Sequence, residues 1–150
     1  MPTSSEFNLD VAKSSQQLVI SEVRFQAIFE QMNVGICQAD LDGYLVDANP
    51  GLCKMLGYTR DELVHKKFQH ITHPADLNTD LEEYERLLQG HQNSMFVEKR
   101  YLHKDGHAIW VALTVCLVRD ALGQPLYSIG VSQDISDRKQ LEVELKDANT

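Results

Sequence analysis

The chain has 150 residues, of which 43% are hydrophobic and 24% charged, and this ordinary globular composition excludes a disordered or collagen-like protein. A chain of this length buries about 70% of the surface that its unfolded form exposes, so we expect one domain with terminal extensions. The formal net charge of −8 leaves no basic patch for nucleic-acid phosphates, and no nucleic-acid partner is expected.

The cysteine content indicates a reducing compartment. Cys37, Cys53 and Cys116 are far apart in the sequence and lack the spacing of metal ligands, so no metal site is predicted. Free thiols favour a cytoplasmic location. No apolar run approaches the roughly 20 residues of a membrane span, and the polar first residues do not form a signal peptide, so we expect no direct membrane contact.

Residues 10–32 contain neither glycine nor proline, and their apolar side chains recur every seven residues at Val11, Leu18, Phe25 and Met32. Together with Ile28 and Phe29 this pattern predicts an amphipathic helix. Ser14 and Ser21 occupy positions that a strict coiled coil would fill with apolar residues. Packing against its own domain and pairing with a partner helix are therefore both open to this helix.

Two short strands are predicted next, at 35–39 and 44–47, because the segment 40–43 combines turn-forming residues with Gly43. Asn49 followed by Pro50 is typical of a helix start, and Gly57 is typical of a helix end. Thr59 with Glu62 three residues later has the pattern of a capping box. The sequence therefore predicts two short helices after the strand pair.

A longer helix is predicted at 76–89, with an inward-facing stripe made of Leu77, Leu81, Tyr84, Leu87 and Leu88. The same region holds a cluster of acidic residues that we expect on a solvated face, namely Asp76, Asp80, Glu82, Glu83 and Glu85. Three further strands are predicted at 94–103, 107–119 and 124–133, joined by tight turns. The whole pattern predicts an antiparallel α+β domain.

The long central strand has two apolar faces. Alternation places Ile109, Val111, Leu113, Val115 and Leu117 on one face, and Trp110, Ala112, Thr114 and Cys116 on the other. The second face is unusually apolar for a face in contact with water. We therefore expect it to be covered by the N-terminal helix or by a second subunit.

The order of these elements over residues 24–140 resembles a PAS domain. The resemblance is carried by the spacing of Gly35, Asp40, Gly43, Asn49, Gly57, Tyr58, Glu62, Leu63, Pro74, Asp76, Glu98, Arg100, Asp105, Gly106, Trp110, Gly130 and the final Asp134-Ile135-Ser136. It implies a PAS fold, in which a five-stranded antiparallel sheet with short helices on one face encloses a pocket. The corresponding boundaries are an N-terminal helical extension at 1–23, the PAS domain at 24–136 and the start of an output helix at 137–150.

The resemblance also implies three sets of functional residues. The pocket candidates are Met55, Leu56, Ile71, Leu81, Tyr84, Leu88, Val111, Leu113 and Ser132. The junction that passes a signal to the output helix is expected at Asp134, Ile135, Ser136 and Arg138. The dimer face is expected to comprise Leu18, Phe25, Ile28 and Phe29 of the N-terminal helix with Trp110, Tyr127 and Ile129 of the sheet.

Some members of the family hold haem or flavin, and the sequence favours neither here. Haem-binding members place a ligand histidine on the long helix, but residues 76–89 contain no histidine. Light-sensing members carry a reactive cysteine in an Asn-Cys-Arg motif, and residues 66–71 contain no cysteine. Their flavin-contacting glutamine would correspond to Ser132. A non-covalent small molecule remains open, because most pocket candidates serve equally well as core.

No catalytic residues are predicted, since the sequence has no Gly-rich phosphate loop, HExxH motif or nucleophile elbow. Glu98 and Arg100 share one strand face and are predicted to pair with each other. We therefore expect a non-enzymatic sensory module that forms a homodimer and relays a signal to an output domain of the same parent chain, such as a two-component histidine kinase. The alternatives are a receptor for a metabolite or non-covalent flavin, and an interaction domain that binds a partner through the acidic helix.

Overall fold

The computed structural model describes residues 22–24, 26–27, 29, 34–90 and 92–148. The chain divides into two compact units, Met1–Met32 and Asn33–Thr150. The described residues of the first unit are helical, and Phe29 is buried. The other residues of the predicted N-terminal helix, Leu18, Phe25 and Ile28 among them, lie outside the described residues.

The second unit is built on a five-stranded sheet in the order β2-β1-β5-β4-β3. Its strands are β1 (Gly35–Ala39), β2 (Leu45–Ala48), β3 (Ser94–Leu102), β4 (Ala108–Arg119) and β5 (Pro125–Asp134). Every neighbouring pair is antiparallel. The predicted α+β class and five-stranded antiparallel sheet are confirmed.

The helices follow the predicted order. They are α1 (Pro50–Leu56), α2 (Arg60–Leu63), two 3-10 turns (Phe68–Ile71 and Pro74–Asp76), α3 (Leu77–Leu88) and α4 (Ser136–Ala148). Helix α1 ends at Gly57, which has a φ of 76°. Helix α2 begins with the predicted capping box of Thr59 and Glu62. Within the part of the chain that the structure describes, no helix combines the length and apolar character that crossing a bilayer requires.

One buried amide ties the first strand to the first helix. The Asn49 Oδ1 atom accepts hydrogen bonds from the backbone of Ile36 at 2.8 Å and of Leu52 at 2.9 Å. Its Nδ2 atom donates to the carbonyl of Val34 at 3.0 Å. The side chain therefore caps α1 and fixes β1 beside it, which satisfies backbone groups that burial would otherwise leave unpaired.

The core lies between the helices and one face of the sheet, which we call the inner face. Leu52, Leu56 and Leu63 of the short helices pack there with residues of β1, β3 and β4. A second cluster joins Leu87 of α3 to Met95, Leu113 and Val115. The predicted alternation along β4 is confirmed, since Ile109, Val111, Leu113 and Val115 are buried and Cys116 is exposed. The space between the two clusters contains the cavity described next.

Candidate functional site

A cavity of about 40 Å³ lies between the inner face of the sheet and helix α3. This is room for on the order of three water molecules. Its walls are mostly apolar, and they are formed by Cys37, Ala39, Leu45, Phe68, Asp80, Tyr84, Met95, Lys99, Tyr101, Leu113, Val115, Ser128 and Gly130. Few polar groups therefore reach the cavity, and each of them has a definite position.

The strongest polar feature of the cavity wall is a buried ion pair. The Lys99 ammonium lies 2.6 Å from Asp80 Oδ2 and donates to Thr72 Oγ1 at 3.0 Å. The side chains of Lys99 and Asp80 are only 1% and 2% exposed. Burial lowers the pKa of Lys99, and the charge of Asp80 opposes that shift. The pair joins strand β3 to helix α3 across the cavity.

The hydroxyl groups of Tyr84, Tyr101 and Ser128 complete the polar lining, and the hydroxyl of Ser132 supports it. The Tyr101 and Ser132 hydroxyls are 3.2 Å apart and form a buried hydrogen bond. Burial raises the pKa of Tyr101 far above its usual range, so the phenol stays neutral. The buried Tyr84 hydroxyl has no hydrogen-bond partner among the described residues, and burial raises its pKa, although the nearby Ser128 lowers it in part. The Tyr84 hydroxyl thus lies near Ser128 without a well-aligned hydrogen bond, and a ligand in the cavity could bind it.

The thiol of Cys37 also faces the cavity and is unreactive there. Burial raises its pKa from 9.0 to about 11, so at neutral pH it is a thiol rather than a thiolate. The thiolate is the nucleophilic form of cysteine. Cys37 therefore contributes to this cavity as a small apolar side chain.

Seven of the nine predicted pocket residues fall into two groups. Tyr84 and Leu113 line the cavity, and Ser132 supports it through Tyr101. Leu56, Ile71 and Val111 are buried in the core between the short helices and the sheet, and Met55 packs at its edge. None of these four is among the residues that line the cavity.

The expected orientation of the long helix needs correction. Leu81 is exposed and Leu88 is half-buried, whereas Asp80 and Leu87 occupy the buried positions. Asp80 was expected on a solvated acidic face, and that prediction is wrong because Lys99 attracts it inward. The sequence contains a signal for Lys99, which occupies an inward position in the alternating pattern of β3.

The outer face of the sheet, opposite the cavity, contacts the beginning of helix α4. Asp134 Oδ1 accepts a hydrogen bond from the Ser136 amide at 2.9 Å, and the buried Ile135 donates to the Trp110 carbonyl at 2.9 Å. Arg138 forms an ion pair with Glu98. All four residues expected at the junction therefore lie where the sheet meets α4.

Lys139 adds two contacts that the sequence analysis missed. Its ammonium lies 3.0 Å from Glu98 Oε1 and 4.8 Å from the centre of the Trp110 ring. The guanidinium of Arg100 lies 5.1 Å from the same ring, so Trp110 has two cation–π partners. The first turn of α4 is thereby held to strands β3 and β4.

The predicted pairing of Glu98 with Arg100 is wrong. Glu98 pairs with Arg138 and Lys139, while Arg100 binds Asp76 through two side-chain hydrogen bonds of 3.0 and 2.9 Å. Asp76 also accepts from the Arg100 amide at 2.8 Å, and these bonds lower its pKa. Glu98 and Arg100 therefore each form an ion pair with a residue of another element and not with one another.

The remaining sheet residues predicted for a dimer face, Tyr127 and Ile129, are half-buried on the outer face with Trp110. Ile129 stands opposite the exposed Cys116 in the β4–β5 register, and Tyr127 stands opposite Val118. The outer face thus presents a row of apolar side chains across the two longest strands.

Comparison with protein families gives a match over most of the chain. A family model described as the PAS fold matches residues 24–135. The matched span begins before β1 and ends at Ile135, immediately before helix α4, so it contains the whole sheet, the cavity and the short helices.

Two curated relatives are signalling proteins by name. The probable diguanylate cyclase DgcE of Escherichia coli is 38% identical over 122 residues, which are 81% of this chain and 11% of that protein. The sensor histidine kinase TmoS of Ectopseudomonas mendocina is 29% identical over 130 residues, which are 87% of this chain and 13% of that protein. The chain therefore spans about a tenth of the length of these relatives.

Among solved structures, the PAS domain of a protein from Colwellia psychrerythraea superimposes with a TM-score of 0.73. It is 24% identical, and the match covers 79% of this chain and 98% of that one. This likeness supports the same fold as the family match.

Proposed function

The chain belongs to the PAS fold family, and on that premise we propose that it is a sensory module that dimerises and relays a signal to an output domain through helix α4. Two of the curated relatives are a sensor histidine kinase and a probable diguanylate cyclase, and they support an enzyme of signal transduction as the proposed output. The chain itself is proposed to be non-catalytic and cytoplasmic, with no nucleic-acid partner.

One observation carries this proposal: three consecutive residues of β3 contact three different parts of the domain. Lys99 points into the cavity wall and binds Asp80 of α3. Glu98, one residue earlier, binds the start of α4, and Arg100, one residue later, binds Asp76 and the Trp110 ring. A shift of β3 at the cavity therefore changes the contacts of α4 directly.

Amide hydrogen exchange of α4 tests the relay. Leu113→Trp would fill the cavity and displace β3 and β4. We expect it to change amide exchange rates in the first two turns of α4 by at least about twofold. A change of this size corresponds to the low end of typical coupling free energies. Leu122→Trp is the matched control, because Leu122 is exposed in the β4–β5 turn.

The double variant Leu113→Trp, Glu98→Gln separates a relay from general damage. If Glu98 transmits the change, exchange in α4 no longer responds to the substitution at Leu113. Identical exchange in the wild type and Leu113→Trp would rule out coupling between the cavity and α4.

Dimerisation is proposed to use the outer face of the sheet together with the N-terminal extension. The apolar row containing Tyr127, Ile129 and Cys116 supports it, because monomeric proteins rarely leave large contiguous apolar patches in water. Sedimentation equilibrium of the full chain should show a dimer that Ile129→Asp and deletion of residues 1–22 both weaken. A chain that is monomeric at every concentration, or an Ile129→Asp variant that dimerises as well as Leu122→Asp, would refute the interface.

A second candidate function is reception of a small molecule in the cavity. The Tyr84 hydroxyl favours it, because this buried group lies near Ser128 but makes no well-aligned hydrogen bond, and a poorly satisfied polar group costs free energy that a ligand could recover. At about 40 Å³ the cavity fits only a very small molecule with a hydrogen-bonding group, and a flavin would require the surrounding side chains to move.

Native mass spectrometry of the purified protein, with an absorption spectrum of the same sample, tests this candidate. A mass excess that disappears on denaturation and is absent from Leu113→Trp would support reception. Bare chains in the wild type, with no mass gained on adding short alcohols, would favour the relay without a ligand.

A further inference from the structure

We propose that the β3–β4 hairpin binds a divalent transition metal ion, such as Zn²⁺, through His103, Asp105 and His107. One ligand atom from each of these side chains lies within 4.8 Å of the other two. Imidazole nitrogen and carboxylate oxygen are established zinc ligands, with bond lengths of about 2.0 to 2.2 Å. The cluster lies apart from the cavity and from the junction with α4.

The carboxylate of Asp105 is the centre of the cluster. Its Oδ1 atom lies 2.5 Å from His107 Nδ1 and 3.2 Å from His103 Nδ1. Ligands of a tetrahedral ion with such bonds lie about 3.3 Å from one another. His103 and Asp105 already have nearly this spacing, whereas His107 would have to move away from Asp105 while the widest of the three separations, up to 4.8 Å, shortens.

The two imidazoles are already arranged side by side. Their rings stack with centroids 4.5 Å apart and planes 23° from parallel. His103 Nδ1 accepts a hydrogen bond from the Asp105 amide at 3.1 Å, so its lone pair is directed at the backbone of the turn. A bound metal ion would replace the amide hydrogen as the partner of that lone pair.

The backbone of the hairpin turn fixes the spacing of the three ligands. The His103 amide donates to the His107 carbonyl at 2.9 Å, and the Gly106 amide donates to the His103 carbonyl at 2.8 Å. His103 also packs against Gly57, where any Cβ atom would overlap its ring. The turn therefore holds the three side chains close together before an ion arrives, and an ion would have to displace the hydrogen bonds of His103 Nδ1 and His107 Nδ1.

The ligand set determines which ions fit. Two imidazoles and one carboxylate suit Zn²⁺, Ni²⁺ or Cu²⁺, whereas Mg²⁺ and Ca²⁺ prefer oxygen ligands alone. The nearby Lys104 ammonium is turned away to Glu62, 2.7 Å distant, so it does not oppose a cation. The net charge of −8 also favours cations near the surface.

Binding would fasten the hairpin to the end of helix α1. The hairpin already touches α1 through the hydrogen bond from the Lys104 amide to the Leu56 carbonyl, 2.9 Å, and through His103 on Gly57. A metal held by His103 would strengthen this contact, and we expect bound Zn²⁺ to raise the stability of the whole domain.

Isothermal titration of the untagged full chain with ZnCl₂ tests the proposal, with MgCl₂ as the control salt. We expect one Zn²⁺ per chain, and an affinity at least about tenfold weaker in His107→Ala and in Asp105→Asn. His65→Ala is the matched control, because His65 is exposed and lies outside the cluster. It should bind Zn²⁺ as the wild type does.

Asp105→Asn keeps an oxygen that accepts the turn hydrogen bonds, and His107 is exposed, so both variants should fold, which circular dichroism checks. Zinc should also shift the imidazole NMR signals of His103 and His107 and leave that of His65 in place. Absence of one-to-one binding, or equal affinities of His107→Ala and the wild type, would overturn the proposal.

Discussion

Two of the ion pairs of strand β3, formed by Glu98 and Lys99, are only one residue apart and lie in opposite environments. Lys99 and Asp80 are 1% and 2% exposed on the inner face, whereas Glu98 and Arg138 are 31% and 50% exposed on the outer face. If the outer pair separates, water can solvate both charges, and the cost in free energy is small. If the inner pair separates, each charge stays buried without a partner, and the cost is large. The inner pair therefore fixes the structure, while the outer pair is suited to open and close.

Removal of one inner charge should have the largest effect. Asp80→Ala leaves the Lys99 ammonium buried without a counter-charge, and we expect it to reduce the free energy of unfolding by about 3–5 kcal/mol. Urea denaturation of the wild type and the variant measures this loss.

Asp47→Ala is the matched control, because Asp47 forms an ion pair of similar length, 2.7 Å, with Arg60 in a much more exposed position. It should cost no more than about 1 kcal/mol. The double variant Lys99→Met, Asp80→Leu should recover most of the stability, since it removes both charges. Equal costs for Asp80→Ala and Asp47→Ala would show that burial does not distinguish the two pairs.

A second effect of burial on the inner face should appear at alkaline pH. Cys37 ionises near 9.0 in the unfolded chain but near 11 in the folded one. The protonated thiol stabilises the fold fully below pH 9, and this contribution is lost as the pH rises from about 9 to about 11. The total loss should be about 2–3 kcal/mol.

Urea denaturation from pH 8 to pH 11 gives the free energy of unfolding of the wild type and of Cys37→Ala. The quantity to compare is how strongly this free energy depends on pH in each protein. Cys37 also raises the pKa of Tyr101, so the difference between the two proteins includes this coupling. Cys116→Ala, at an exposed thiol, should keep the wild-type pH dependence. Parallel curves for the wild type and Cys37→Ala would contradict the assigned shift.

The smallest effect on stability is expected on the outer face. Glu98→Gln removes the charge that Arg138 and Lys139 share, and we expect a loss below about 1 kcal/mol. Far-ultraviolet circular dichroism should nevertheless show reduced helix, because the start of α4 loses its attachment to β3. A destabilisation as large as that of Asp80→Ala would erase the distinction between the two faces.

Much of the architecture was predictable because its signals are local. Asn49 with Pro50 starts α1, Gly57 ends it, and Thr59 with Glu62 caps α2, as the sequence indicates. The predicted strands agree with the observed ones to within one or two residues at each end. Helix caps and turns are formed by residues that are close together in the sequence, so the sequence alone is enough to predict them.

The partners of the charged residues were not predictable in this way. Asp80 and Lys99 are 19 positions apart, and Arg138 lies 40 positions from Glu98. Polarity alone assigns such residues to the surface, because a buried charge is stable only with a partner that the fold brings near. The cavity was missed in part for the same reason, since Lys99 and Asp80 form its wall. The cluster at His103 depends on a turn that brings alternate residues together.

The strand order has a consequence for synthesis of the chain. β1 pairs with β5, so that Cys37 stands opposite Gly130, and β5 lies in the middle of the sheet. The sheet cannot close until the last strand has left the ribosome, and contacts between such distant segments slow folding. Helix α4 begins at Ser136, two residues after β5 ends. A domain that follows α4 in a parent protein would therefore emerge just as this one becomes able to fold.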